Sequence, residues 1–294
     1  MADTTRLAEL WRYPVKSMGG ERVATRLVVG DGPGRGLPGD RAWAVRDETR
    51  AALTDAKKLG ELMRCSAAYP GGDEAQAPVV TLPDGAAVAA DAPDAAATVS
   101  AALGRPVTLW PLQPSHDLDH YRRGAPDHDD PYEEARAIFG LLPDEPLPDL
   151  RVLDRDVRKL LREFETPPGT YFDAYPLLLL TAASLAALAE AAPDSAIDLR
   201  RFRPNLVLDD GPAAAGNGFA EASWLGRRLR IGEAVLRVAS PCPRCVMATR
   251  ATAELAEDRT IMRALVKHTG QMLGAYAVVE APGSIGEGDR VELE

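Results

Sequence analysis

Two of the chain's three cysteines stand in the run PCPRC, where Cys242 and Cys245 are separated by Pro243 and Arg244. Four chemistries suit two thiols at that spacing. A dithiol redox pair of the thioredoxin type needs its first cysteine at a helix N-terminus inside a βαβ unit. Here a strand-like run at 236–239 precedes Cys242, but no helical pattern follows at once. A zinc site needs four ligands, and the chain offers no second CxxC and only His268 downstream. Two structural cysteines with no chemistry are the plain alternative. The last is a single thiolate acting as a soft metal ligand, with Arg244 expected to lower the thiol pKa of Cys245. Spacing alone leaves all four open. Cys65 has no neighbouring partner and reads as a small buried residue.

Other residue types point to anion binding. Lys16 and Ser17 follow a strand-like run and Pro14, Arg41 follows a glycine turn, and Arg200, Arg201 and Arg203 precede Pro204–Asn205 at the mouth of another strand. Arginine and lysine at strand ends beside glycine turns suit a phosphate or similar anion. Each taken singly is an ordinary surface charge, but their recurrence in both halves of the chain suggests one shared anionic ligand. His116, His120 and His128 lie in an acidic stretch with no apolar stripe, and are expected to be solvated loop residues rather than metal ligands.

The elements that must position these groups are mostly strands. Runs at 6–12, 23–29, 42–46, 79–82, 87–89 and 107–111 read as short strands, with a helix at 92–103 between the last two. A glycine- and proline-rich turn at 30–40 interrupts them. Residues 1–112 therefore read as a small β-barrel-like domain. Residues 113–170 are polar, charged and proline-rich, and read as a linker or excursion, mobile in part. In residues 171–294 the run LLLL is a buried strand, Thr181 caps a following helix, 224–231 and 234–239 read as hairpin strands turning at Gly226 and Gly232, and 258–268 is helical. The expected fold is α+β, mainly β, with two β-barrel-like domains and a few peripheral helices.

Composition narrows the function. At 294 residues and a net charge of -10, with only short basic clusters, the chain is not expected to bind nucleic acid. Three cysteines exclude a disulfide framework. The start MADTTRLAEL lacks a signal-type core and no apolar run is long enough to span a membrane, so a cytoplasmic, membrane-free protein is expected.

Several blocks, in order, carry a resemblance: LWRYPVKSMGGE and GDRAWAVRD, then DAYPLLLLTAASL, RFRPNLVL, SWLGRRLRIGEAVLRVASPCPRC and GAYAVVEAPGSIGEGDRVEL. The chain resembles the MOSC family, the molybdenum cofactor sulfurase C-terminal domain proteins, preceded by the associated N-terminal β-barrel domain. It is similar to the amidoxime-reducing components and bacterial reductases of N-hydroxylated compounds. The resemblance implies a molybdenum cofactor between the two domains, with Cys245 as metal ligand and catalytic centre. It implies that Lys16, Ser17, Arg41, Arg203, Asn205 and Arg244 hold the cofactor, with Thr54 and Asp173 matching more loosely. The implied reaction removes oxygen from hydroxylamines or amidoximes. A carrier of molybdenum cofactor or sulfur, without turnover, is the alternative, and a family-level association with pyridoxal phosphate is a further implication. Two departures stand out: Pro243 replaces the serine or threonine of some members, and MATRATAELAEDR replaces a TTVDPDTG-like run. No CxxxxCxxC-type cluster motif follows, so electrons are expected from a separate ferredoxin- or cytochrome b5-like protein.

Overall fold

The computed structural model describes residues 5–30, 35–211 and 219–294, so residues 31–34 of the expected glycine-rich turn lie outside the described residues. In chain order its strands are β1 (Arg6–Arg12), β2 (Glu21–Arg22), β3 (Thr25–Val28), β4 (Trp43–Asp47), β5 (Ala52–Thr54), β6 (Ser66–Ala68), β7 (Val79–Thr81), β8 (Ala87–Ala89), β9 (Val107–Pro111), β10 (Leu177–Thr181), β11 (Leu206–Asp209), β12 (Arg228–Ile231), β13 (Ala234–Pro243), β14 (Met272–Ala281), β15 (Gly283–Gly286) and β16 (Val291–Leu293). The helices are α1 (Ala95–Leu103), α2 (Leu118–Tyr121), α3 (Pro131–Phe139), α4 (Arg155–Glu163), α5 (Ala182–Ala191), α6 (Leu199–Phe202) and α7 (Thr260–Thr269). The fold is mainly β, with few helices, as its patterning implies.

Eight strands form one curled sheet in the order β16-β12-β13-β14-β10-β11-β1-β2. Strand β10 shows why this sheet is covered on both faces. All five of its residues are buried, the signature of a strand with apolar material above and below it. Side chains alternate along a strand, and Leu177 and Leu179 join the core inside the curl, while Leu180 joins a second core with Leu188, Phe202, Ile261 and Leu265. Helices α5 and α7 supply that outer layer. Thr181 caps α5 by accepting the Ser184 N–H at 3.1 Å, as its position at the end of the apolar run predicts.

The expected division into halves changes at the first strand. Rather than staying in a separate N-terminal barrel, β1 pairs antiparallel with β11, and Leu7 and Leu10 sit fully buried in the core of the second half. Strand β3 likewise pairs with β15. Two three-stranded sheets, β5-β4-β9 and β6-β7-β8, hold the rest of the N-terminal half around a core that includes Val15, Met18, Val45, Leu62 and Cys65.

Residues 113–170 also differ from expectation. They carry α2, α3, α4 and a 3-10 turn at Leu150–Val152. Polarity hid the start signals: Asp130 caps α3 through the Tyr132 N–H with Pro131 in the first turn, and Asp154 caps α4 through the Asp156 and Val157 N–H groups. Tyr121, Leu153 and Phe164 anchor the segment by burial. A smaller correction falls at 220–224, where a 3-10 turn buries Trp224, so that the hairpin strand begins at Arg228.

Candidate functional site

Strand β13 outruns its partner β12. Its last residues pair only with β14, through a register that shifts between Pro241 and Pro243. Proline donates no ladder hydrogen bond and belongs at such bulged, one-sided ends. The bulge delivers Cys242 into the protein, buried, and leaves Cys245 half-buried where two cavities adjoin. Both cavities are lined by Asp173, Pro243, Cys245 and Tyr276. One is narrow, about 60 Å³, and the other wide, about 620 Å³.

The narrow cavity gathers Lys16, Ser17, Arg41, Arg203, Asn205 and Arg244, which are separated by up to 228 positions in the chain, from 16 to 244. Asn205 ties the strands together. Its side-chain oxygen accepts from the Leu178 N–H at 3.1 Å and from Arg41 at 3.2 Å, and its amide nitrogen donates to the Trp11 carbonyl at 3.2 Å. Ser17 Oγ accepts the Ala56 N–H at 3.0 Å and so fixes the loop that carries Asp55 and Lys57. Ser17, Arg41 and Arg203 all hold positive φ, at 69°, 48° and 56°. Gln271, at φ 70°, exchanges hydrogen bonds with Arg244: it accepts the Arg244 N–H at 2.8 Å and donates to the Arg244 carbonyl at 3.0 Å. Of six such non-glycine residues among those described, four meet here. Each left-handed residue costs on the order of 1–3 kcal/mol, and such strain concentrates at ligand clamps.

The charges do not balance. Lys16 and Lys57 pair with Asp173 at 2.7 and 3.3 Å, Lys57 pairs also with Asp55, and Arg41 pairs with Asp40. Among the described residues Arg203 has no carboxylate partner; its guanidinium lies over the Tyr13 ring at 4.6 Å, with a 4.0 Å contact to the Met63 sulfur. Arg244 donates to Cys242 Sγ at 3.1 Å and to the Phe202 carbonyl at 2.7 Å, and its Nε–H is buried without an acceptor. Six cations (Lys16, Arg41, Lys57, Arg201, Arg203 and Arg244) thus stand near three carboxylates (Asp40, Asp55 and Asp173); Arg201 is satisfied by backbone carbonyls, which leaves Arg203 and Arg244 as the cations without a carboxylate among the described residues, in a chain of net charge -10.

Burial, and then the nearby Arg41, pushes Arg203 down to about 10. Burial opposes the charge on Asp173, but Lys16 and Lys57 outweigh it and hold that carboxyl well below its usual range. Lys57 is held well above its ordinary value, because Asp173 and Asp55 overcome the cost of burial. Cys245 goes the other way from the sequence expectation. Burial raises its thiol pKa, Lys57 is the cation that chiefly opposes this, and Arg244 contributes least among its neighbours. Arg244 turns instead to Cys242, so the adjacency of Arg244 and Cys245 in sequence was a poor guide to which thiol it touches.

Thr54 does not join the site. It lies on β5, buried, with its hydroxyl unpartnered, and lines neither cavity. Asp173, the other loose match, stands at the junction. Of the arginine cluster, Arg200 pairs with Asp198 and Glu254 at the surface, and Arg201 gives its guanidinium to the carbonyls of Ala196, Arg250 and Ala256. His120 is not a solvated loop residue: it is half-buried with a ring nitrogen 2.7 Å from the Tyr171 hydroxyl, and burial lowers its pKa. His116 and His128 are exposed. Sequence reasoning missed Lys57, Asp55, Tyr13 and Tyr276. The run TDAKK after a strand, with an acid two residues before a lysine, was the available signal for the first two. Among the described residues no three His, Cys, Asp or Glu side chains converge as a metal-ligand group, and no helix is long and apolar enough to cross a membrane.

The arrangement suits an oxyanion held by Arg203 and Arg244, beside a cysteine at position 245 whose sulfur, once deprotonated, suits a soft metal. Pyridoxal phosphate finds no support, since the amines of Lys16 and Lys57 are both committed to carboxylates. Residues 4–114 match the model of the MOSC N-terminal beta barrel domain and residues 167–292 that of the MOSC domain. Among solved structures, the YuaD protein from Bacillus subtilis is 10% identical, with 98% of this chain and 94% of that chain covered at a TM-score of 0.42. YiiM from Geobacillus stearothermophilus is 17% identical over 41% of this chain and 54% of that one, TM-score 0.31. YiiM from Escherichia coli is 21% identical over 41% and 54%, TM-score 0.30. No curated protein matches the chain.

Proposed function

The chain carries a MOSC N-terminal β-barrel domain followed by a MOSC domain, and from that premise we propose that it binds a molybdenum cofactor and reduces N-hydroxylated compounds, taking electrons from a separate protein. The observation that carries this reading is the pair of buried guanidinium groups, Arg203 and Arg244, which among the described residues have no carboxylate and which line the same cavity as the half-buried Cys245 thiol. Buried charge without a counter-charge is costly. Arg201 meets that cost with three backbone carbonyls, whereas Arg244 keeps a buried Nε–H with no acceptor among the described residues, which supports an anionic ligand there.

In this reading Cys245 ligates the metal, and Arg203, Arg244, Lys16 and Asn205 hold the cofactor's anionic and polar edge. When bound, the cofactor supplies a metal centre that exchanges two electrons. The overall reaction, R–NHOH with two electrons and two protons giving R–NH₂ and water, needs charge control where oxygen leaves. Lys57 stays protonated between Asp55 and Asp173. It therefore acts as a fixed positive charge facing Cys245, favouring the thiolate and an oxygen that gains negative character, rather than as a proton shuttle. Tyr276 keeps its phenol proton, because burial and then Cys242 raise its pKa well above the ordinary range.

Protein made in a cofactor-competent host should contain close to one molybdenum per chain and reduce benzamidoxime with a reduced viologen donor. Cys245→Ala should lose about a hundredfold or more of this activity, whereas Cys242→Ala keeps most of it. Absence of bound molybdenum sinks the proposal. Bound molybdenum with no turnover favours the carrier of cofactor or sulfur instead.

A further inference from the structure

The wide cavity over Cys245 is built mainly by the segment that reads as a linker. Helix α3 lines it with Ile138 and Phe139, and α4 with Arg158, Leu161 and Arg162. At about 620 Å³ it is large enough for a small organic molecule, and its apolar walls suit a flat or branched hydrocarbon body.

The charges on that lining are unevenly committed. Glu134 accepts the N–H groups of Asp127 and His128 at 3.0 and 3.2 Å. Glu165 faces Lys58 and Arg123, and Asp173 faces Lys16 and Lys57. Arg151 is spent on both oxygens of Asp149. Arg158 and Arg162 stand apart. They lie four residues, one helical turn, apart on α4, and among the described residues neither forms an ion pair. Arg158 comes near enough to Asp149 to help lower its pKa, behind the dominant bonds from Arg151. Yet the Arg158 Nε–H is buried with no acceptor. Asp129 is the remaining uncommitted charge on the lining, and it is exposed.

We infer that this chamber selects substrates with an apolar body and a carboxylate remote from the reacting nitrogen, the carboxylate being received by Arg158 and Arg162. This inference rests on the reductase reading, which places the reacting atom at Cys245, and it adds the substrate class. Two guanidinium groups one helical turn apart on the same cavity wall can each offer parallel N–H donors to a carboxylate's oxygens; Arg158 is half-buried and Arg162 exposed.

The test compares benzamidoxime, 4-carboxybenzamidoxime and 4-(aminomethyl)benzamidoxime on the molybdenum-loaded protein with a viologen donor. The carboxylated compound should exceed the cationic one in kcat/KM by about tenfold or more, and Arg158→Gln/Arg162→Gln should bring that ratio to about one. Equal ratios in the parent, or a preference for the cation, overturn the inference. Should no compound turn over, the reductase reading fails by itself, and calorimetric binding of the carboxylated and cationic compounds decides the present point. Tighter carboxylate binding that the double variant loses supports it; equal binding refutes it. A thermal melt of the double variant confirms that it is folded.

Discussion

Arg203 sets a cost against a purpose at the scale of one residue. Burial and Arg41 lower its pKa to about 10, a depression from the ordinary guanidinium value that corresponds to roughly 3 kcal/mol against the charged form. Stacking on Tyr13 at 4.6 Å returns about 1–2 kcal/mol. The balance is unfavourable until an anion arrives. Arg203→Met keeps the aliphatic packing on Tyr13 and removes the charge, while the left-handed backbone strain is common to both residues. The cofactor-free variant should therefore melt about 2–4 °C higher than the parent, and the same variant should retain far less molybdenum when made in a competent host. Calorimetry and elemental analysis check the two halves. A variant that melts lower and still holds metal would make Arg203 a structural residue.

Elements, rather than single residues, decide which motif residues reach the cleft. Arg41 and Arg203 were legible because each closes a glycine- or proline-marked turn at a strand mouth, and the turn chemistry is local. Thr54 lines neither cavity, whereas Lys57, three residues on and past the end of β5, lines the wide one and acts electrostatically on Cys245. The α3–α4 segment was illegible for a different reason. Its helices lack fully buried residues of their own and are specified by caps and by anchors such as Tyr121 and Phe164; the one periodic signal, Val157, Leu160 and Leu161 at helical spacing on α4, is short and sits among charged residues. Helix α5 shows the opposite case. Its cap Thr181 is fully buried and bonds Ser184 and Glu221 as well as the helix start. Thr181→Ala removes the cap and leaves the buried Ser184 N–H without its acceptor, for about 2 kcal/mol. The melting temperature should fall by several degrees with molybdenum content unchanged, since no residue of α5 lines either cavity. Loss of metal in that variant would place α5 in communication with the site.

At the scale of the molecule, two sequence families meet in one folding unit. The N-terminal match ends at 114 and the C-terminal match begins at 167, which invites the view that each half folds alone. The sheet says otherwise. β1 covers the open side of β11, and β3 covers β15. Leu7, Leu10, Val23 and Val28 enter the core of the C-terminal half at 0–6% exposure. At about 1.5–3 kcal/mol per buried side chain these four contribute roughly 6–12 kcal/mol, as much as the whole net stability of about 5–15 kcal/mol that a domain usually has. Residues 167–294 expressed alone should therefore expose the β11 edge, associate, and show no cooperative melt. Co-expression with residues 1–166 should recover a one-to-one complex with a cooperative transition, because the strand can be supplied in trans. Cooperative unfolding of the 167–294 fragment by itself would show that the N-terminal strands merely decorate a barrel that is already complete. In that case the site, which draws Lys16 and Arg41 from one half and Arg203, Arg244 and Cys245 from the other, would have to be assembled by docking rather than by folding.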